Sequence, residues 1–149
     1  MKFVNRFFMI LVALCLVCPG VSAVVNPKPF VIPELKEWKG AEGAFVPTET
    51  TKIVCPANQP ELLRIAHDCE TMFGHKPEVV QGKGGAGDVI LAIRADKKLG
   101  KEGYTVKVTD RILLTAPESI GVYWGTRTLL QIAEQSENHQ FPKGTLRDF

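Results

Sequence analysis

The sequence predicts an α+β domain of two layers, an α/β sandwich with a largely antiparallel β-sheet and two helices packed on one face. Three observations carry this. Short apolar runs rich in Val, Ile, Phe and Thr alternate with turn residues through most of the chain. Two longer segments repeat apolar residues at three- and four-residue spacing. The order is strands, helix, strands, helix, strand, which places sheet and helices in separate layers around one core. At 149 residues there is room for one domain.

The first residues read as a removable leader. Lys2 and Arg6 precede an unbroken apolar run from Phe7 to Val17. Pro19 and Gly20 interrupt it, and Val21-Ser22-Ala23 supplies the small residues a signal peptidase requires. The run falls short of the roughly 20 residues of a membrane-spanning helix. Residues 1–23 are therefore expected to be a signal peptide cleaved near Ala23, with residues 24–149 exported to a periplasmic or extracellular space. Lipoprotein processing at Cys15 or Cys18 is the alternative; it wants a small residue directly before the cysteine, where Leu14 and Val17 stand.

Cleavage removes Lys2 and Arg6 and no acid, so the formal net charge falls from +2 to zero. A neutral surface with no Lys/Arg cluster argues against nucleic acid or anionic membrane as a partner. Cys55 and Cys69 remain. About ten helical residues between them span roughly 15 Å, whereas a disulfide needs α-carbons within about 7 Å. Two buried free thiols are expected rather than a bridge.

The elements follow in order. Pro27, Pro29 and Pro33 make Val24–Pro33 an extended lead-in, with Phe30-Val31-Ile32 β-compatible. Leu35–Lys39 alternates, Gly40–Gly43 reads as a turn, and Ala44–Val46 and Thr51–Val54 read as short strands closed by Pro47 and Pro56. The first helix is expected from an Asn58 cap, with Pro60 in its first turn, to Gly74. Its stripe is Leu62, Ile65, Ala66, Cys69, Met72 and Phe73. Glu78–Val80 and Asp88–Arg94 read as strands flanking a glycine-rich connection. Gly103–Val108, a turn at Thr109–Arg111 and Ile112–Thr115 form the strongest hairpin signal. The second helix starts at Glu118 and Ser119 and runs to about Gln135. Ile120, Val122, Tyr123, Trp124, Leu129, Leu130, Ile132 and Ala133 occupy more than one of its stripes, so it is expected to be buried on several sides. Ser136–Gly144 reads as a loop and Thr145–Phe149 as an extended segment that stops without a polar tail, as a truncated chain would.

Candidate chemistry is sparse. Gly82-Lys83-Gly84-Gly85-Ala86-Gly87 precedes a strand rather than a helix and lacks the Gly-Lys-Ser/Thr ending, so it reads as a flexible hairpin connection, not a phosphate loop. His67, His75 and His139 show no zinc-helix spacing and read as exposed or locally bonded. Glu34, Glu37, Glu70, Asp88, Asp96, Asp110 and Glu118 sit near turns or on polar faces, and no carboxylate pair stands out. Ser119 and Ser136 lie in no nucleophile elbow. Trp38 and Trp124 have the chemistry to stack on sugars, although packing is the simpler role for Trp124. No catalytic, cofactor-binding or metal residue is assigned.

The segment Gly103–Val108, Ile112–Ala116 and Gly121-Val122-Tyr123-Trp124-Gly125-Thr126-Arg127-Thr128-Leu129-Leu130-Gln131 resembles the end of the N-terminal domain of family-20 glycoside hydrolases, the bacterial-type β-N-acetylhexosaminidases. Phe30-Val31-Ile32-Pro33 is similar to that family's opening strand, and Leu146-Arg147-Asp148-Phe149 to the segment before its first barrel strand. The resemblance implies a non-catalytic domain whose helices lie between its own sheet and a following (β/α)₈ barrel, with truncation just before that barrel. Gly121 and Gly125, one turn apart, allow another element to approach closely. It further implies that the parent removes terminal β-linked N-acetylhexosamine from glycans through an Asp-Glu pair and a sugar-gripping arginine on the barrel, none of which lies in this chain. No cofactor is implied. A stand-alone exported carbohydrate-binding or adaptor module is the alternative.

Overall fold

The computed structural model describes residues 24–69 and 72–149; the expected leader, residues 1–23, lies outside the described residues. Among the described residues, seven strands and two helices follow in the order β1 (Glu37–Phe45), β2 (Lys52–Cys55), α1 (Leu62–His67), β3 (Glu78–Gln81), β4 (Val89–Ile93), β5 (Tyr104–Val108), β6 (Ile112–Ala116), α2 (Ser119–Glu134) and β7 (Phe141–Asp148). They build one sheet in the order β1-β7-β5-β6-β4-β2-β3. The α+β class and the two-layer arrangement hold.

The sheet is mixed. β1, β7, β5 and β6 pair antiparallel. β6, β4, β2 and β3 pair parallel. The predicted hairpin is present, Val108 facing Ile112 and Thr105 facing Thr115. Alternate residues of the strands turn to one face. Ile53, Cys55, Val89, Leu91, Val106, Ile112, Leu114 and Leu146 there meet Leu62, Ile65, Ala66, Val122, Leu129 and Ala133 of the helices in one buried cluster. Burial of these side chains, at about 1.5–3 kcal/mol each, drives the layers together.

Several boundaries differ from the sequence reading. Gly40–Gly43 is not a turn: β1 runs through it, its register with β7 shifting between Gly40 and Ala44 as a bulge. A β-carbon on Gly40 would lie 2.1 Å from the Asn26 carbonyl oxygen, so glycine is required where the lead-in crosses β1. Phe30–Ile32 forms no strand. α1 spans six residues and does not reach Gly74; Cys69 and Met72 amides bond three residues back, to Ala66 O and Cys69 O, in tightened turns. Asn58 is not its cap. Gln59 instead turns its side chain to β4, donating to Ile93 O (2.9 Å) and accepting from Ile93 N (2.7 Å). β7 begins at Phe141, earlier than the sequence indicates, because Phe141 is fully buried against Phe45 and Phe73.

The glycine-rich segment is not a hairpin connection either. β3 and β4 flank β2 and both run parallel to it. The segment must therefore cross β2, and Gly84, with φ +62°, lies against Ile90 and Val54. A β-carbon there would meet Ile90 Cγ1 at 2.7 Å. Gly85 N donates to Asp88 Oδ2 (2.8 Å) and Gly87 N to Asp110 O (2.7 Å), which holds the crossing in place.

Cys55 and Cys69 are free and buried, as expected. Both belong to the same buried cluster because α1 is short, which removes the long helical separation inferred from sequence. Burial pushes the Cys55 thiol up to about 11, with Cys69 adding to the rise. Burial also raises Cys69, against the opposing influence of Thr126 and Arg127.

Candidate functional site

The outward side of α2 forms the floor of a cleft of about 400 Å³. α2 starts at Glu118, an extended residue whose side chain makes no capping bond. Gly121 and Gly125 face inward: a β-carbon on Gly121 would sit 2.5 Å from Gly103 O, and one on Gly125 2.1 Å from Leu114 Cδ1. The element that approaches these glycines is thus the domain's own sheet. Val122, Leu129 and Ala133 are buried with them. The stripe rotated away from the sheet carries Ile120 and Trp124, 38% and 43% exposed. Trp124 is not a packing anchor within the described residues; its ring meets Tyr123 edge-on, centroids 5.1 Å apart, and lines the cleft.

Three further elements complete the cleft. The lead-in contributes Ile32 and Pro33, β5 contributes Tyr104 with Glu102 just before it, and β7 delivers Asp148 and Phe149. The Tyr104 hydroxyl lies 2.6 Å from Thr128 Oγ1 and donates to Asp148 Oδ2 at 3.4 Å. Burial pushes the phenol up to about 12, partly opposed by Thr128, with the Asp148 carboxylate adding to the rise. It is a neutral hydrogen-bonding group. Arg127 stacks over the Tyr123 ring at 4.9 Å and reaches Asp68 O at 3.4 Å and Cys69 Sγ at 3.8 Å, which ties α2 to the end of α1. Lys36 Nζ lies 4.5 Å from the Phe149 ring centroid. Apolar walls with a few polar groups and no deep enclosure suit a docking face or a shallow sugar site.

The sequence-derived candidates fall elsewhere. Trp38 donates from Nε1 to Asn26 O (3.1 Å) and covers Gly144, a packing role. His75 Nδ1 lies 3.2 Å from Phe73 O, and His139 packs its ring on Gly74. His67 is exposed and His75 locally bonded, as expected, while His75 Nε2 and His139 Nδ1 are buried atoms without a hydrogen-bond partner. Glu37 and Asp96 both pair with Arg147, at 3.2 and 3.6 Å, and Asp110 pairs with Arg111 at 3.3 Å. Glu34 pairs with Lys28, and Glu118 with Lys101 at 4.0 Å. Glu70 lies outside the described residues. Among the described residues no group of three or more His, Cys, Asp or Glu could hold a metal ion, and no helix is long and apolar enough to cross a membrane. The cleft residues Asp148, Glu102 and Thr128 were not singled out as site residues, although Thr128 and Asp148 lie in the segments that carry the family resemblance.

Comparison with known proteins gives the family and the fold. The family model described as glycosyl hydrolase family 20, domain 2 matches residues 28–149. No curated protein matches the chain. Among solved structures, the β-N-acetylhexosaminidase from Streptomyces coelicolor aligns at 23% identity and TM-score 0.67, over 85% of this chain and 27% of its own. The Streptomyces plicatus N-acetyl-β-hexosaminidase aligns at 18% and 0.68, over 84% and 27%. The Bacteroides fragilis β-N-acetylhexosaminidase aligns at 19% and 0.62, over 80% and 24%. At these identities the likeness concerns the fold, and the chain spans about a quarter of the length of the structures it matches.

Proposed function

The chain belongs to glycosyl hydrolase family 20 through that family's domain 2, and from this premise we propose that it is a non-catalytic scaffold that seats a (β/α)₈ barrel against helix α2. In this reading the parent is an exported β-N-acetylhexosaminidase, its leader cleaved near Ala23, and the glycan is bound and cut on the barrel. The chain alone turns over no substrate.

The observation that carries the proposal is the exposed apolar side of α2. Trp124, Ile120 and Phe149 stand 38–49% exposed beside a cleft, while the opposite side of the helix is fully engaged by the sheet. Contiguous apolar surface on one side of a helix is costly in water and marks a covered face. Residues 24–149 expressed alone should self-associate or bind a hydrophobic dye, and Trp124→Ser should lower both by roughly half. A monodisperse, dye-negative parent domain refutes the proposal.

A second reading, a stand-alone carbohydrate-binding module, draws on the same cleft: an exposed indole beside the Asp148 and Glu102 carboxylates has the makings of a sugar platform. Titration with N-acetylglucosamine, followed by Trp124 fluorescence, separates the two. Saturable quenching that Trp124→Ser abolishes supports the module; its absence removes it.

A further inference from the structure

The lead-in between Asn26 and Leu35 is a strap laid across α2. Two apolar residues anchor it, Val31 at 3% and Leu35 at 2% exposure. Asn26 fixes its start, with Nδ2 2.6 Å from both Ala41 O and Gly43 O. Its middle is held by two glutamines four residues apart, Gln131 on α2 and Gln135 at its C-cap. Gln131 Oε1 accepts from Ile32 N (2.9 Å) and its Nε2 donates to Ile32 O (3.1 Å). Gln135 Nε2 donates to Phe30 O (2.7 Å). The Gln131 amide thus satisfies both backbone groups of Ile32 as a neighbouring strand would, the arrangement Gln59 makes with Ile93 in the sheet.

The consequence is directional. With Val31 turned in, Phe30 and Ile32 must turn out, and each is 70% exposed. The strap is a ridge between two clefts. Ile32 walls the one of about 400 Å³ that holds Trp124, and Phe30 walls a second of about 300 Å³ with Ile132 and Gln140. Gln131 lines the first and Gln135 the second.

We propose that the docking face is this whole ridge-and-two-clefts surface, with Gln131 and Gln135 as positioning residues that hold Phe30 and Ile32 outward. The inference rests on the scaffold reading and commits to the same occupant, the remainder of a family-20 polypeptide. That occupant must present two apolar protrusions, one to each side of the strap. The solved relatives carry roughly three-quarters of their chains beyond the part this domain matches, which is ample surface to do so.

Hydrogen exchange on the purified chain tests the clamp. Gln131→Ala should speed exchange of the Ile32 amide about tenfold, the worth of one such bond, while the buried Leu129 amide stays protected. Gln131→Glu keeps an acceptor for Ile32 N but sets a second carboxylate oxygen against Ile32 O where Nε2 donated, so at neutral pH it should also speed Ile32 exchange. If Gln131→Ala does not fold, Gln131→Glu and Gln135→Ala carry the test. Unchanged Ile32 exchange in either Gln131 variant overturns the clamp. The extent of the face is read by dye binding: Phe30→Ser with Ile32→Ser should lower it as much as Trp124→Ser does. A strap variant that binds dye like the parent overturns the composite face. A parent that binds no dye defeats the scaffold reading, and the clamp is then still judged by exchange alone.

Discussion

Replacing Gly121 by alanine separates two roles for the small residues of α2. Alanine in a helix interior ordinarily gains about 1 kcal/mol over glycine. At this position the new methyl would lie 2.5 Å from Gly103 O, 2.8 Å from Ala116 Cβ and 3.2 Å from Glu102 O. Two of those atoms are backbone, and Ala116 is a fully buried strand residue with no rotamer to change. Relief requires α2 to move off the sheet by several tenths of an ångström. That loosens Val122 and Leu129, which are themselves fully buried. Overpacking of this kind costs about 1–3 kcal/mol, and rigid neighbours place it near the upper end. The net expectation is a loss of about 2 kcal/mol, the difference between the overpacking cost and the helix-propensity gain. For a domain of this size that lowers Tm by roughly 6–10 °C. Urea titration followed by far-ultraviolet circular dichroism, with a thermal scan alongside, measures it in the domain alone. A Gly121→Ala domain as stable as its parent, or more so, refutes the reasoning: it would mean that the glycine serves an outside partner rather than the domain's own sheet.

Two other outcomes follow from the same geometry. Gly84→Ala should destabilise by about 1–3 kcal/mol, from left-handed strain and contact with Ile90, whereas Gly82→Ala, with open space around it, should change stability little; equal effects in urea titration would remove the crossing-strap account of this loop. Stability should also fall with alkaline pH. The folded Cys55 and Tyr104 hold their protons to about 11 and about 12, above their ordinary values of 9.0 and 10.0. The unfolded chain therefore releases protons first, and stability present below pH about 9 is lost between about 9 and 12. Absorbance titration at the phenolate band should show one tyrosine ionising late, and a flat stability profile over that window would contradict the burial of both groups.

Much of the fold was legible because it is local. The β5–β6 hairpin shows in period-two alternation around Thr109–Arg111, and its register is observed as Val108 against Ile112. α2 shows in its three- and four-residue spacing and ends within a residue of expectation. The first helix was overextended because Cys69, Met72 and Phe73 keep the helical stripe in the sequence. They are buried as that stripe demands, yet reached through turns. The candidate cleft was only half visible. An apolar helix face announces Trp124, but Asp148, Tyr104 and Ile32 reach it from segments that no local pattern joins to α2.

By itself the sequence determined the class, the two layers and that the second helix is apolar on more than one side, since these follow from periodicity within ten or twenty residues. The tertiary structure alone decided that β2, β3, β4 and β6 run parallel and that the glycine loop crosses β2. It alone decided that Gly121 and Gly125 press on the sheet, and that Gln131 binds a strap 99 residues away. Each of these is a pairing between distant segments. A pairing is chosen by which surfaces bury together, and that free energy is a property of both partners at once.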